Sequence, residues 1–551
     1  MKQSISGGEA MALAAKANGI KRVFGIPGAQ IYPIFDAFGK HDFEVIAPRH
    51  EQAAAYMAMG AAKSTGKPEA FSVVPGPGVL NATAAMCTAM GTCAKVLCLT
   101  GQVPSSYLGS GRGHLHELTD QPGTLKKIIK DAVRINDPRR TSVIMNQAFQ
   151  TLESGRPGPV SVEMCWDTMA EEHEVEITEG NKTVLRPQVD PGQLKAAADK
   201  IATAKNPMIM VGAGAQHADQ EVRELAELLN APVMSFRSGR GIVADDHPLG
   251  VTPVAARLLW EKCDLIIGIG SRLEMPYMRW VPGNSYQDRP HDERTVIRID
   301  ADPAEMNRFI PHIALIADAA DGALALFNQL QDKVKPNKKR LDEIAEAKAK
   351  VGQLIAGVQP QVDYLQAIRN VLPRDGIYVP ELSQMGFAAW IGAFPVYEPR
   401  TFISEGFQGT LGFGFSTALG AKVANPDKVV VSVNGDGGFM FGMQELATAA
   451  QYGIGLITLV FNNHAYGNVL RDQDMHFGGR HIASELYNPN FSKMAESFGV
   501  KGIRVKSPAE LEKAMQECVD ANEPVLIEVM AERGSESSAW DFIHMYDPPQ
   551  G

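Results

Sequence analysis

The sequence predicts an α/β protein of three doubly wound parallel-sheet domains, and three observations lead to this prediction. The chain has 551 residues, which is too many for one hydrophobic core and suits about three or four domains. Short apolar runs alternate with longer helical stretches, as in parallel sheets covered on both faces. Two polar stretches, about 171–190 and 331–350, divide the chain. We therefore predict domains at 1–170, 190–332 and 360–551.

The predicted strands are apolar runs that end in Gly, Pro, Asn or Asp, which is typical of turns between strands and helices. Before the first strand, residues 1–19 are expected to form an amphipathic helix. In the first third the expected strands are RVFGIPG, FSVVPGPG, KVLCLTG and PVSVEM. In the middle third they are PMIMVGAG, PVMSFRSGRG, DLIIGIGS and TVIRIDADP. In the last third they are GIYVPEL, RTFISEGF, KVVVSVNGDGG, LITLVFNN and PVLIEVM.

Composition excludes several classes of protein. A formal net charge of −10 disfavours a nucleic-acid-binding surface. The six cysteines are scattered without a CxxC motif, so we expect neither a zinc site nor a disulfide framework. No apolar run approaches the roughly 20 residues needed to cross a bilayer, and the N-terminus has no signal-peptide pattern. We expect a cytoplasmic protein without nucleic-acid or membrane partners.

An acid and an amide follow two neighbouring strands of the last third. Asp436 follows KVVVSVNG, and Asn463 ends LITLVFNN. Ligands bind at the carboxyl ends of parallel strands, and carboxylate and amide oxygens suit Mg²⁺. Gly435, Gly437 and Gly438 would bring backbone N–H groups close to an anion. The pattern of GDGG followed by NN predicts a Mg²⁺-diphosphate site, whereas GDGG alone would better suit a turn whose Asp caps a helix.

GDGG followed by NN at this spacing resembles the thiamine-diphosphate (ThDP) fingerprint. Across nearly its full length the chain is similar to the acetolactate synthase-like branch of ThDP-dependent 2-oxo-acid decarboxylases and carboligases. The resemblance implies a pyrimidine-binding domain at 1–170, a middle domain at 190–332 and a diphosphate-binding domain at 360–551. It also implies that Mg²⁺ binds Asp436, Asn463 and the carbonyl of Ala465.

Other segments carry the same resemblance. RHEQAAAYMAMGAAKSTG implies that Glu51 activates the cofactor, although a Glu here also suits the first turn of a helix. EGFQGTLGFGFSTALGA implies backbone contacts to the aminopyrimidine from Gly409 and Leu411. The Leu411 side chain would lie under the thiazolium, unless it is plain core. The remaining implied cofactor contacts come from VFGIPGAQ, PELSQMG and the glycines of GDGG: Pro27, Leu382, Ser383, Gly435, Gly437 and Gly438.

Substrate-facing positions depart from relatives. Ala29 and Val74 stand where some decarboxylases carry proton-transferring groups, which leaves Gln30 as the nearest polar side chain. GHLHELTDQ aligns with the family's FQE segment, so His116 replaces a glutamine. We therefore include Gln30 and His116 with Glu51 and Leu411 as candidate catalytic residues. His114 is a second candidate substrate contact, and both histidines also suit a surface loop.

Three further positions bear on substrate choice and on a second cofactor. Asp472 stands where acetolactate synthases carry an acceptor-selecting Trp, and Pro276 replaces their substrate-binding Arg. Lys130 loosely matches a lysine near the active-site entrance. The segments 211–216 and 297–303 look nucleotide-like, and relatives use this region for FAD, for ADP or for nothing. FAD is disfavoured because an FDDR-like stretch is missing.

The leading hypothesis is a ThDP- and Mg²⁺-dependent decarboxylase or carboligase. It would act on a small 2-oxo acid such as pyruvate, add the acyl unit to a carbonyl acceptor, and work as a homodimer or homotetramer. An alternative is an enzyme of the 2-hydroxyacyl-CoA lyase or oxalyl-CoA decarboxylase type, which requires a basic pocket for CoA phosphates, and none is evident in the sequence. A different class is a non-catalytic ThDP-fold regulatory protein, which we disfavour because Glu51, Asp436 and Asn463 are all present.

Overall fold

The structure is a computed structural model that describes residues 2–180, 183–281, 289, 293–335, 337–538 and 540–543. Three parallel sheets with interleaved helices follow one another along the chain, so the predicted α/β fold class is confirmed. No helix within these ranges is both long and apolar enough to cross a membrane.

The first sheet has six parallel strands in the order β3-β2-β4-β5-β7-β6, and β1 pairs with β8 in a separate antiparallel ribbon. The elements of this region are β1 (Lys2–Ser6), α1 (Gly7–Ala17), β2 (Arg22–Gly25), α2 (Tyr32–Lys40), β3 (Glu44–Ile46), α3 (Glu51–Thr65), β4 (Glu69–Val73), α4 (Pro77–Gly91), β5 (Val96–Gln102), α5 (Gln121–Leu125), β6 (Asp131–Ile135), α6 (Thr141–Glu153), β7 (Val160–Cys165), α7 (Trp166–Ala170) and β8 (Glu172–Glu176). Short 3₁₀ turns cover Ala29–Ile31, Ser105–Tyr107 and Pro138–Arg140.

The second sheet also has six parallel strands, in the order β11-β10-β9-β12-β13-β14. Its elements are α8 (Pro191–Thr203), β9 (Pro207–Val211), α9 (Asp219–Leu229), β10 (Val233–Ser235), β11 (Gly250–Val251), α10 (Pro253–Trp260), β12 (Leu265–Ile269), β13 (Thr295–Asp300), α11 (Pro303–Arg308), β14 (Ile313–Ile316), α12 (Ala319–Leu330) and α13 (Lys338–Ile355). Two 3₁₀ turns, Ala213–Ala215 and Arg237–Gly239, and a π-helical turn, Met275–Trp280, complete it.

The third sheet has five parallel strands in the order β15-β16-β17-β19-β18. Its elements are α14 (Gln361–Val371), β15 (Ile377–Pro380), α15 (Gln384–Ala388), a π-helical turn (Ala389–Ala393), α16 (Gly414–Ala424), β16 (Val430–Gly435), α17 (Asp436–Phe439), a 3₁₀ turn (Met443–Glu445), α18 (Leu446–Tyr452), β17 (Ile457–Asn462), α19 (Gly467–Phe477), α20 (Phe491–Ser497), β18 (Lys501–Val505), α21 (Pro508–Val519), β19 (Val525–Met530) and α22 (Trp540–Ile543). The strand order repeats that of the first sheet, β2-β4-β5-β7-β6, without an equivalent of the edge strand β3.

Two local predictions were wrong. RTFISEGF is no strand, since only Phe402 forms an isolated bridge, to Tyr378, and the backbone turns with positive φ at Arg400 and Gly406. The N-terminal helix starts at Gly7 because the residues before it pair with β8. The Ser6 hydroxyl caps it by accepting the N–H of Glu9 at 3.1 Å.

Helices α3 and α16 connect the first and third sheets through a close antiparallel contact. A Cβ on Gly60 would lie 1.9 Å from the carbonyl oxygen of Thr417, and one on Gly420 would lie 1.9 Å from that of Met57. Glycine is therefore required on both helices for this approach. All residues of α3 from 53 to 62 are buried, and most of them are alanines.

Candidate active site

Asp436 lies at the carboxyl edge of the third sheet, directly after β16. Register pairs Gly435 with Phe461 on the neighbouring strand, so the segments that follow β16 and β17 leave the sheet side by side. The buried Asp436 carboxylate accepts the N–H of Gly437 at 2.9 Å and that of Ala465 at 3.2 Å. The structure thus brings the predicted residues Asp436, Gly437 and Ala465 together.

The Asn463 side chain also contacts the backbone N–H of Ala465. Its Oδ1 accepts the N–H of Ala465 at 3.2 Å, and its Nδ2 donates to Glu536 Oε1 at 2.7 Å. Because only the amide nitrogen can donate to a carboxylate, Glu536 fixes which end of the amide faces Asp436. Asn463 therefore presents an oxygen, the ligand atom that Mg²⁺ requires.

Asn488 is a residue of this cluster that the sequence did not reveal. Its Nδ2 donates to Asp436 Oδ2 at 2.7 Å and to Asn462 Oδ1 at 3.0 Å. Burial raises the pKa of Asp436, and the bonds from Gly437 and Asn488 oppose that rise. No motif links Asn488 to Asp436, because it arrives from a distant loop.

Glu381 supports the segment that should hold the aminopyrimidine. This fully buried carboxylate accepts the N–H of Gly412 at 2.6 Å and that of Gly414 at 2.7 Å. Burial raises its pKa to about 7. A Cβ on Gly438 would lie 2.9 Å from the Glu381 Cγ, so one carboxylate packs against both glycine-rich segments. In the sequence, Glu381 could have been recognised as an acidic residue directly after the apolar strand GIYVP.

The other predicted cofactor contacts of the third sheet lie close to one another in two pairs. A Cβ on Gly409 would lie 3.8 Å from the Leu382 Cδ2, and one on Gly435 would lie 3.4 Å from the Ser383 Cβ. Gly409 has φ +59°, which favours glycine. Leu382 and Leu411 are half-buried, so each retains apolar surface that a ligand can cover.

The remaining predicted residues lie at the carboxyl edge of the first sheet. Glu51 begins α3, and its Oε2 accepts a hydrogen bond from Asn81 on α4 at 3.0 Å. Gln30 is fully buried and bonds to His116, with 2.8 Å between Oε1 and Nδ1. Pro27 is exposed in the same region. Glu51, Gln30, His116 and Pro27 therefore share one edge.

Within one chain, Glu51 and Leu411 lie at opposite ends of the α3–α16 pair. Gly60 contacts Thr417 and Met57 contacts Gly420, so the helices run antiparallel. The start of α3 is at Glu51, and α16 starts just after Leu411. With a rise of 1.5 Å per residue, these two helix starts lie roughly 18 Å apart along the shared helix axis. A single chain does not place the Glu51 carboxylate beside its own Leu411 segment.

These residues fit ThDP and Mg²⁺. Within the described ranges no three His, Cys, Asp or Glu side chains cluster as metal ligands, and the oxygen donors at this point include the Asp436 carboxylate and the Asn463 amide oxygen. One carboxylate and one amide oxygen suit Mg²⁺, which keeps water or phosphate oxygens as its other ligands. The glycine turns supply close backbone approach, and Leu382 and Leu411 supply apolar surface.

Comparisons with known proteins agree with this geometry. Residues 5–124 match the thiamine pyrophosphate enzyme N-terminal TPP binding domain, residues 194–326 the central domain, and residues 383–529 the C-terminal TPP binding domain. Together these matches cover more than half of the chain. The chain belongs to the thiamine pyrophosphate enzyme family. Thiamine pyrophosphate is another name for ThDP, so the predicted dependence on this cofactor is confirmed.

Relatives of this thiamine pyrophosphate enzyme are named as acetolactate synthases. A probable acetolactate synthase large subunit of Methanocaldococcus jannaschii is 32% identical over 96% of this chain and 92% of its own length. The acetolactate synthase large subunit of Haemophilus influenzae is 32% identical over 94% and 92%. The mitochondrial catalytic subunit of Saccharomyces cerevisiae is 30% identical over 96% and 81%. The predictions of an enzyme and of an acetolactate synthase-like family member are confirmed.

The structure places three positions of this thiamine pyrophosphate enzyme that the sequence singled out near the substrate: Lys130, Asp472 and Pro276. Lys130 donates to the carbonyls of Ser154 and Arg156 at 2.7 and 2.6 Å, so its ammonium group is held by backbone. Asp472 Oδ1 accepts a bond from Arg471 at 2.7 Å, which offsets its charge. Pro276 is buried in the π-helical turn after β12.

The middle region contains a separate cavity of about 390 Å³. Both nucleotide-like segments line it, through Gly212 and Gly214 after β9 and through Asp300 at the end of β13. Its wall also carries several cationic side chains: Lys63, Lys95, Arg156, Arg237, Arg272 and Arg400. The basic pocket that was not evident in the sequence therefore exists, but acidic residues, among them Glu274 and Glu305, share it.

Proposed function

We propose that this chain decarboxylates a small 2-oxo acid such as pyruvate and joins the acyl unit to a second carbonyl, using ThDP and Mg²⁺. The observation that carries the proposal is the oxygen cluster of Asp436 and Asn463 beside the Leu411 segment. It is supported by the acetolactate synthase names of relatives that align along almost the whole chain.

In this proposal each residue has a defined task. Asp436, Asn463 and the Ala465 carbonyl hold Mg²⁺, and Ser383, Gly435, Gly437 and Gly438 surround the diphosphate. Gly409 and Leu411 hold the aminopyrimidine, and Glu51 holds a proton at that ring. When bound, ThDP supplies a nucleophilic carbon and then an electron sink for the departing carboxyl group. The Asn81 side chain orients the Glu51 carboxylate through the 3.0 Å bond.

We infer that the working enzyme is at least a homodimer. The antiparallel α3–α16 contact separates Glu51 from the Leu411 segment of its own chain by roughly 18 Å along the helix axes. A catalytic glutamate must contact the cofactor, so the Glu51 of a second copy is the one that reaches it. This supports a site built by two subunits and a dimer or tetramer as the functional unit.

We also infer carboligation rather than simple aldehyde release. Ala29 and Val74 offer no acid or imidazole, and a longer-lived acyl carbanion is more readily captured by an acceptor carbonyl. Asp472 leaves a more polar acceptor region than an aromatic residue would. The proposed reaction needs no redox step and no phosphoryl transfer, so the proposal gives no chemical task to FAD or ADP. All six cysteines are free thiols, which supports a reducing cytoplasmic location.

The proposal is tested by supplying pyruvate with ThDP and Mg²⁺ and measuring CO₂ and carbon–carbon-bonded products separately. We expect both to form, and both to disappear when ThDP or Mg²⁺ is withheld. Pyruvate consumption that is independent of ThDP, or no turnover across a panel of 2-oxo acids, would contradict the proposal. A parallel CoA-thioester panel tests the CoA-dependent alternative.

A further inference from the structure

The loop that carries His116 is held rigidly by a single carboxylate. Glu117 accepts the backbone N–H groups of Gly111 at 3.0 Å, Gly113 at 2.8 Å and His114 at 2.9 Å. These bonds lower the pKa of Glu117, with the His114 N–H as the largest cause. The turn before His116 is therefore fixed by an anion that remains charged at neutral pH.

His116 itself has an uncommon backbone conformation. Its φ is +65°, which is uncommon for a residue other than Gly, although His adopts it more often than most side chains do. Its carbonyl lies against Gly76, where a Cβ would be 2.4 Å from the oxygen. The Gly76 N–H is in turn held by Gln121 Oε1 at 2.8 Å. The surrounding structure therefore enforces this strained conformation, which is a frequent property of functional positions.

Gln30 sets the protonation pattern of the His116 ring. Its Nε2 donates to the carbonyl of Leu115 at 3.0 Å, and this leaves its Oε1 facing His116 Nδ1 at 2.8 Å. A carbonyl-type oxygen only accepts, so Nδ1 must carry the hydrogen. In the neutral ring, Nε2 is then the unprotonated nitrogen. Gln30 is fully buried, and its amide cannot rotate without losing both bonds.

The ring lies on the edge of the sheet that carries Glu51. Gly76, in contact with the His116 carbonyl, precedes α4, and Asn81 on that helix bonds to Glu51. We propose that Gln30 is a positioning residue that fixes His116 in the Nδ1–H form, so that His116 Nε2 carries a proton to and from the substrate oxygen. This inference rests on the proposed function for the identity of the substrate.

In this role His116 gives one proton to the substrate oxygen and later takes one proton back from it. Protonated Nε2 gives its proton to the carbonyl oxygen of the 2-oxo acid as that oxygen gains negative charge. The neutral Nε2 takes the proton back from the resulting hydroxyl when the product carbonyl forms again. Gln30 Oε1 accepts the Nδ1–H in both states, so the ring does not reorient between the two transfers.

The tautomer is testable without turnover, in apoprotein labelled with ¹⁵N in its histidine rings. We expect His116, assigned by the signal that His116→Asn removes, to be in the Nδ1–H form. His312 is an internal reference for the opposite form, since its Nδ1 accepts the Val296 N–H at 3.0 Å. Gln30→Met should abolish the preference, and Gln30→Glu, which retains an acceptor, should keep it. His116 in the Nε2–H form, or unchanged by Gln30→Met, would overturn the proposal.

Turnover gives the second measurement. Asn tolerates positive φ but cannot gain and lose a proton, so His116→Asn should lower kcat/KM for the 2-oxo acid by about 10²-fold. Gln30→Met should lower it by roughly tenfold, because less of the ring is in the active form. His173→Gln, on the β1–β8 ribbon, is the matched control and should have no effect.

The two hypotheses fail differently. If wild-type protein consumes no 2-oxo acid, the proposed function is wrong. The NMR measurement of the His116 tautomer still tests the role of Gln30 independently. If wild-type protein turns over and His116→Asn, folded by circular dichroism, does so equally fast, the proton-carrying role of His116 is wrong.

Discussion

The Glu381 carboxylate lies beneath the backbone of Gly412 and accepts its N–H at 2.6 Å. Gly412 follows Leu411, the side chain assigned to the cofactor, and the other Glu381 oxygen accepts the N–H of Gly414 at 2.7 Å. The shape of the Leu411 segment therefore depends on a carboxylate buried beneath it.

Glu381→Gln should loosen this segment. The substitution keeps the size of the side chain but replaces one acceptor oxygen by an NH₂ group, which leaves a buried N–H unpaired at a cost of about 1–3 kcal/mol. We expect a lower melting temperature and ThDP affinity weaker by about tenfold, measured by calorimetry at pH 8. Glu346→Gln, an exposed change on α13, is the control. Unchanged affinity and stability would show that Glu381 does not support the segment.

Asp436→Ala should remove the charged metal ligand. We expect ThDP affinity in the presence of Mg²⁺ to fall by at least 10²-fold, because the amide of Asn463 alone cannot replace a carboxylate. Calorimetric titrations with and without Mg²⁺ measure this directly. Asn488→Ala is the graded comparison, since it removes only the 2.7 Å bond to Asp436 and should have a smaller effect. If Asp436→Ala bound ThDP as tightly as the wild-type protein does, Asp436 would not be a metal ligand.

Glu51→Gln should fold and bind ThDP but lose most exchange of the cofactor C2 proton. The amide can accept a hydrogen bond from Asn81 but cannot hold a proton at the aminopyrimidine. NMR of C2–H/D exchange on the bound cofactor provides the measurement, with Asn81→Ala expected to show an intermediate loss. Exchange at the wild-type rate in Glu51→Gln would mean that another group activates the cofactor.

Stability should depend on pH through Glu405. This carboxyl is fully buried, no other described residue donates a hydrogen bond to either oxygen, and burial raises its pKa to about 7. A raised folded-state pKa means that the contribution to stability is complete below the unfolded value of 4.5 and is lost as pH rises through about 7. The full loss is roughly 3 kcal/mol, since one pKa unit corresponds to about 1.4 kcal/mol.

Glu405→Gln removes the titration and should flatten this dependence. Urea unfolding at intervals between pH 5 and pH 8.5 measures it, with Glu346→Gln again as an exposed control. We expect the wild-type free energy of unfolding to fall relative to the variant as pH rises. Parallel curves for the two proteins would show that Glu405 does not titrate in this range.

The sequence predicted that Asp436 and Asn463 lie together at the sheet edge because their positions follow from strand order. Asp436 and Asn463 each follow an apolar strand, and parallel neighbours place their carboxyl ends together. Asn488 and Glu536 could not be predicted, because they reach the cluster from loops far away in the chain. The sequence shows that Glu381 is an acidic residue after a strand. It does not show that the backbone of residues 412–414 folds over this carboxylate.

The errors in the predicted strands have a similar cause. RTFISEGF has the apolar content of a strand, yet one bridge to Tyr378 and the positive φ at Arg400 and Gly406 prevent a ladder. The edge strands β3 and β18 are among those that were missed; both are short and partly exposed, so they lack a continuous apolar run. The domain limits remain predictions.

The central claim, carboligation from a 2-oxo acid, is tested most directly by NMR of the products formed from ¹³C-labelled pyruvate with ThDP and Mg²⁺. Pyruvate is supplied first alone and then with an aldehyde acceptor. We expect acetolactate or a hydroxyketone to exceed free acetaldehyde whenever an acceptor is present, and a wider range of acceptors than strict acetolactate synthases use, because Asp472 is smaller and more polar than Trp. Free acetaldehyde as the main product under both conditions would contradict the claim and indicate a plain decarboxylase.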